Sequence, residues 1–145
     1  MTKIDFYIMP DPSSEASHIL ACRICEKAFR NGHRIFIQLD TLEKCQEMGE
    51  TLWAFSSASF LPHQTIDEPA SPLTRVILGY DNRTLDEHDV LINLNSDVPP
   101  FFSQFNRVIE IIAPDPEAKN QGRQRYRFYK DRGYPLTTHT LKSAE

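Results

Sequence analysis

From Lys3 to Leu39 the chain writes an apolar strand, an amphipathic helix and a second apolar strand in succession, with joins of only a few residues. Ile4, Phe6 and Ile8 alternate over Lys3 to Met9 as a strand requires. Asp11-Pro12-Ser13-Ser14 offers cap residues and a proline suited to a helix start, and the helix is expected to run to Arg30. Its apolar stripe, Ala21, Cys22, Cys25, Ala28 and Phe29, keeps three-and-four spacing. Asn31-Gly32 permits a left-handed cap, and Arg34 to Leu39 is a second strand. Two strands joined by one helix form a βαβ unit, which favours parallel pairing and a right-handed crossover.

The rest of the chain extends this alternation. Asp40 with Glu43 resembles a capping pair before a helix from about Leu42 to Phe55. Residues 56–74 carry Pro62, Pro69 and Pro72 with no periodicity, and read as an irregular connection. Short apolar strands follow at Val76–Gly79, Val90–Leu94 and Val108–Ile112. Asp115-Pro116-Glu117 opens the last long helix, Gly133 ends it, and Thr137 to Leu141 is a final edge strand. The expected fold is an α/β, Rossmann-like three-layer sandwich with a mostly parallel sheet, one domain over residues 1–145.

Export and membrane insertion find no support. No apolar run approaches the roughly 18 residues needed to cross a bilayer, and Met1 to Asp5 does not open a signal peptide. A cytoplasmic protein is expected, and its three cysteines imply no disulfide framework.

An α/β sheet invites a nucleotide-dependent enzyme as an alternative. Dinucleotide sites need glycines at the first strand–helix turn so that bare backbone can approach a pyrophosphate. Here that turn is Met9-Pro10-Asp11-Pro12-Ser13-Ser14, with two prolines and an acid. A nucleotide enzyme would have to use a degenerate phosphate loop, so no cofactor is expected. Cys22 and Cys25 could suggest zinc or redox chemistry, with His18 and Cys45 as further ligands. Both lie on the apolar helix stripe, where cysteine acts as a small hydrophobe, so no metal is assigned. His63 and His139 read as lone surface histidines, and no nucleophile motif is present. No catalytic residue is assigned.

Charge marks the C-terminal region instead. The net charge of -4 divides into +3 over residues 115–145 and -7 over the preceding 114. At about 100° per residue, Lys119, Arg123, Arg127 and Lys130 share one arc of the last helix, with Tyr126 inside or beside it. Ala118, Gly122, Arg125 and Tyr129 share the neighbouring arc and are expected to face the sheet. Like charges at helical spacing repel by some tenths of a kcal/mol per pair, which an anionic partner would offset. The helix dipole supplies part of a structural reason for the same cations. A short acidic peptide suits this patch; direct binding of single-stranded DNA is an alternative, opposed by the acidic remainder of the chain.

Several segments in order carry a family likeness. They are Asp5-Phe6-Tyr7, Phe29 to Ile37, Leu52-Trp53-Ala54, Ser59 to His63, Asp89 to Leu94, and Arg125-Tyr126-Arg127 through Gly133-Tyr134. Over most of its length the sequence resembles the chi subunit of bacterial DNA polymerase III. The resemblance implies a Rossmann-like adaptor without enzymatic activity. It also implies that the last helix receives the acidic, Phe-ending C-terminal tail of single-stranded-DNA-binding protein, so that contact with DNA is mainly indirect. Carried over by position, Lys119, Arg123, Tyr126, Arg127 and Lys130 would form the tail site, with Gly133 shaping its end. Arg127 stands where the family can use Lys, which keeps the charge and alters the hydrogen-bond geometry. The resemblance further implies binding to the psi subunit, which links chi to the clamp loader, through Trp53, Phe60 and Pro62. From the residues alone, these side chains could equally complete the core.

Overall fold

The computed structural model describes residues 1–10, 14–55, 61–69, 71, 74–86 and 89–141, with the backbone alone at 14 and 15. Among them run β1 (Lys3–Ile8), α1 (Ser14–Arg30), β2 (Ile35–Gln38), α2 (Leu42–Phe55), β3 (His63–Thr65), β4 (Val76–Gly79), β5 (Val90–Asn93), β6 (Arg107–Ile112), α3 (Pro116–Asp131) and β7 (Leu136–Thr140). The strands form one sheet in the order β3-β4-β2-β5-β6-β1-β7. Every described pairing is parallel.

Alternation along each strand divides the core into two layers. Ile35, Ile37, Leu78, Ile92, Ile109 and Ile111 meet Ala21, Cys22 and Cys25 of α1 and Cys45, Met48 and Leu52 of α2 on one face. On the other, Ile4, Phe6, Phe36, Leu91, Val108 and Ile112 pack with Tyr129 of α3 and with Phe102 and Phe105, the first residue and the C-cap of a short 3₁₀ turn. The result is a three-layer α/β sandwich. A sheet covered on both faces explains why its central strands read as continuous apolar runs.

Several details depart from the sequence reading; among them, His139 is no lone surface histidine, since its Nε2 lies 3.2 Å from Asp5 Oδ1 and its ring stacks on Tyr7. β3 lies inside the segment taken as irregular: His-Gln-Thr shows no apolar alternation, and its pairing with β4 comes from tertiary context. His63 is consequently no free surface residue. It is half-buried, its Nδ1 is 2.8 Å from the Leu61 carbonyl, and its ring lies beside Gly49. The last strand starts one residue earlier than expected, with Leu136 turned into the α3 layer. The cap proposed at Asp11 to Ser13 falls outside the described residues.

Candidate functional site

The last helix is fixed at both ends by residues legible in the sequence. Asp115 accepts a hydrogen bond from the Ala118 amide at 3.1 Å, and Pro116 follows at the first helical position. Gly133 adopts φ +80°, a conformation open to glycine, which lets the Tyr134 amide turn back to the Tyr129 carbonyl at 3.2 Å. Between these ends the inner face is Gly122, Arg125 and Tyr129. Gly122 has no room for a side chain: a Cβ there would stand 2.5 Å from Ile112 Cδ1.

Glu110 of β6 organises that inner face. Arg125 Nε donates to its Oε1 at 2.9 Å, while the Tyr129 hydroxyl and Asn93 Nδ2 donate to Oε2 at 2.6 and 2.9 Å. A second Arg125 nitrogen reaches the Ser96 carbonyl at 2.9 Å. Burial pushes the Glu110 pKa up; Arg125 opposes this most, followed by the hydrogen bonds from Tyr129 and Asn93. Burial and the neighbouring Glu110 push the Tyr129 phenol up as well. This network sets the rotation of α3 about its axis and thereby decides which residues face water.

Turned outward are Lys119, Arg123, Arg127 and Lys130, all exposed. Tyr126 is half-buried, its ring edge-on to Phe6 at 5.3 Å. Between the helix and the β1–β7 edge opens a cavity of about 340 Å³. Its floor is Phe6, Ile8, Ile112 and Gly122, its helix wall is Lys119, Arg123 and Tyr126, and Thr138 of β7 closes the far side. Three of the expected tail residues therefore line one apolar pocket with a cationic rim. Arg127 and Lys130 share the helix face without lining the cavity, and Gly133 lies beyond it at the helix end. The floor was missed in the sequence, although Phe6 and Ile8 sit on the same face of β1 by simple alternation.

The second group is less gathered. Trp53 is 62% exposed near the end of α2, its ring edge-on to His63 at 6.0 Å. Pro62 is half-buried, and Phe60 lies outside the described residues.

Residues 1–137 match the family described as DNA polymerase III chi subunit, HolC. The chain belongs to this family. It is 35% identical over 141 residues to the DNA polymerase III subunit chi of Pseudomonas aeruginosa, covering 97% of this chain and 98% of the relative. The chi subunits of Haemophilus influenzae and Escherichia coli are each 27% identical, covering 94% and 98% of this chain and 95% and 100% of their own lengths. Membership in the chi family makes this an accessory subunit of the replicative polymerase. No helix among the described residues is long and apolar enough to cross a membrane.

Other sites in this chi-family chain have quieter explanations. Cys22, Cys25 and Cys45 are buried; burial raises the first two thiols to about 12 and the third to about 11, far from a reactive thiolate. A crevice of about 290 Å³ lies by the carboxyl ends of β5 and β6, where α/β folds commonly bind nucleotides. Its lysine and arginine are already paired, Lys44 with Asp40 of the same lining at 3.0 Å and Arg125 with the buried Glu110.

Proposed function

We propose that this chain is a non-catalytic cytoplasmic adaptor, working without a cofactor, that binds the acidic C-terminal tail of single-stranded-DNA-binding protein in the pocket beneath α3. One observation carries the reading: an apolar floor large enough for an aromatic side chain sits directly under Lys119 and Arg123. A terminal Phe would fill the cavity, its ring meeting Phe6, Ile8 and Tyr126. The terminal carboxylate and the acids before it would pair with Arg123 and Lys119, while Arg127 and Lys130 extend the attraction along the helix. Guanidinium suits a carboxylate through paired N–H donors. Trp53, Phe60 and Pro62 are proposed to hold the psi subunit and so join coated DNA to the clamp loader. An exposed tryptophan is a natural interface anchor, and Trp53 is 62% exposed.

Calorimetric titration with the tail peptide tests this. Micromolar affinity is expected, equivalent to about 8 kcal/mol, weakening as salt rises. Removing the terminal Phe should reduce affinity by two orders of magnitude or so. Equal binding of the peptide with and without Phe would refute the pocket assignment. Tighter binding of oligothymidylate than of the peptide would make α3 a direct DNA surface instead.

A further inference from the structure

Charge in this chain is sorted by the ends of the strands. Lys3 and Arg107 are the first residues of β1 and β6, and Arg34 and Arg75 directly precede β2 and β4. α1 returns antiparallel to the strands, so its last turn brings Lys27 and Arg30 to the same end. Arg75 confirms the proximity, its guanidinium 3.9 Å over the Phe29 ring of α1. Six of the nine Lys and Arg in residues 1–114 thus gather at one rim of the sheet. At the opposite rim the chain leaves its strands through acids: Asp40 after β2, Asp67 after β3, Asp81 after β4, Asp97 after β5 and Asp115 after β6.

The basic rim holds some acids of its own. Asp89 bonds His33 Nδ1 at 2.9 Å and the Arg34 amide at 3.0 Å. Asp5 lies 3.4 Å from Arg107 Nε, and Glu26 lies 3.3 Å from Arg30. Lys3 and Lys27 form no ion pair among the described residues, and both are exposed. These two lysines and Arg107 flank a groove of about 510 Å³ between the end of α1 and the starts of β1, β5 and β6. Tyr7, Ile24 and Ile109 give it an apolar floor.

We propose that this groove is a second docking surface, for an acidic segment of a partner protein that carries apolar side chains. The cations match carboxylates, and the floor would be covered by aliphatic side chains between them. A nucleic-acid backbone would use the cations and leave the floor wet. The tyrosine of the floor is also less open to a base, since Tyr7 already stacks on His139 at 4.5 Å. Tyr7 and Ile109 face the α1 layer, whereas Phe6, Ile8 and Ile112 face α3, so the groove and the α3 pocket open on opposite faces and are independent.

The test is an amide-shift titration of the whole chain with a short peptide of alternating Asp and Leu. Shifts are expected at Lys27, Ala28, Asn31 and Asn106, with affinity falling about tenfold in the Lys3→Glu/Lys27→Glu double variant. The Lys3→Gln/Lys27→Gln pair should give a smaller loss, and unchanged amide positions along α3 report that each variant is folded. Shifts confined to the α3 pocket, or undiminished by either double variant, would overturn the proposal. So would saturation of the groove by oligothymidylate at lower concentration than the peptide, which would assign it to nucleic acid.

Discussion

Arg125 turns inward onto Glu110, Nε 2.9 Å from Oε1, although Arg123 and Arg127 on either side of it in sequence face solvent. Both partners are buried, with Tyr129, Asn93 and the Ser96 carbonyl completing the set. Replacing Arg125 by Met strands a buried carboxylate, and the expected cost is about 3–5 kcal/mol. The cost depends on pH. Burial has already raised the Glu110 pKa above the ordinary 4.5, and losing Arg125 removes the largest opposing influence. A raised carboxyl holds its proton more tightly when folded, so stability falls as pH climbs from the ordinary value through the folded one. Urea unfolding of Arg125→Met across pH should therefore show the smallest deficit below pH 4.5 and a deficit that grows as pH rises above it.

Gly122 is where α3 approaches the sheet closely enough to build the pocket floor. Ala there gains about 1 kcal/mol of helix propensity but overlaps Ile112, and overpacking costs about 1–3 kcal/mol. A net loss of roughly 1 kcal/mol is expected from these two effects. The displaced Ile112 side chain should also narrow the cavity. Tail-peptide affinity should drop several-fold, measured by calorimetry beside thermal melts.

Arg123 and Arg127 separate pocket contact from general charge. Only Arg123 lines the cavity. Arg123→Ala is expected to weaken the tail peptide about tenfold or more, near 1.4 kcal/mol. Arg127→Ala should cost less and lose most of its effect at high salt. Both variants should unfold within about 0.5 kcal/mol of the parent, because both side chains are exposed.

Trp53→Ala should likewise change stability by only about 0.5 kcal/mol, since the side chain is 62% exposed. If this corner holds psi, the same change should abolish co-purification of the two proteins. A large stability loss with psi binding intact would make Trp53 a packing residue.

The three cysteines should resist alkylation at pH 8 in the folded chain, where burial holds their thiols near 11 to 12. Mass spectrometry should find all three modified once urea is added.

Local pattern carried most of the architecture. The βαβ opening, the apolar strands and the capped, glycine-ended last helix are each written in residues a few positions apart, and short-range chemistry suffices to read them. So is the cationic ladder of α3, because its spacing follows from helical periodicity alone. β3 was illegible for the opposite reason: His63-Gln64-Thr65 has no pattern of its own and becomes a strand only by pairing with β4. The pocket was hidden in the same way, since Phe6, Ile8, Ile112 and Thr138 of its lining come from three strands far apart in sequence. The basic rim also depends on strands arriving in register, which sets Lys3 opposite Arg107. What the sequence determined by itself is the set of elements and the outward charge of the last helix. The tertiary structure decided which cations stand over an apolar cavity, because only the pairing of distant strands and the buried grip of Arg125 on Glu110 fix where that helix sits and how it is turned.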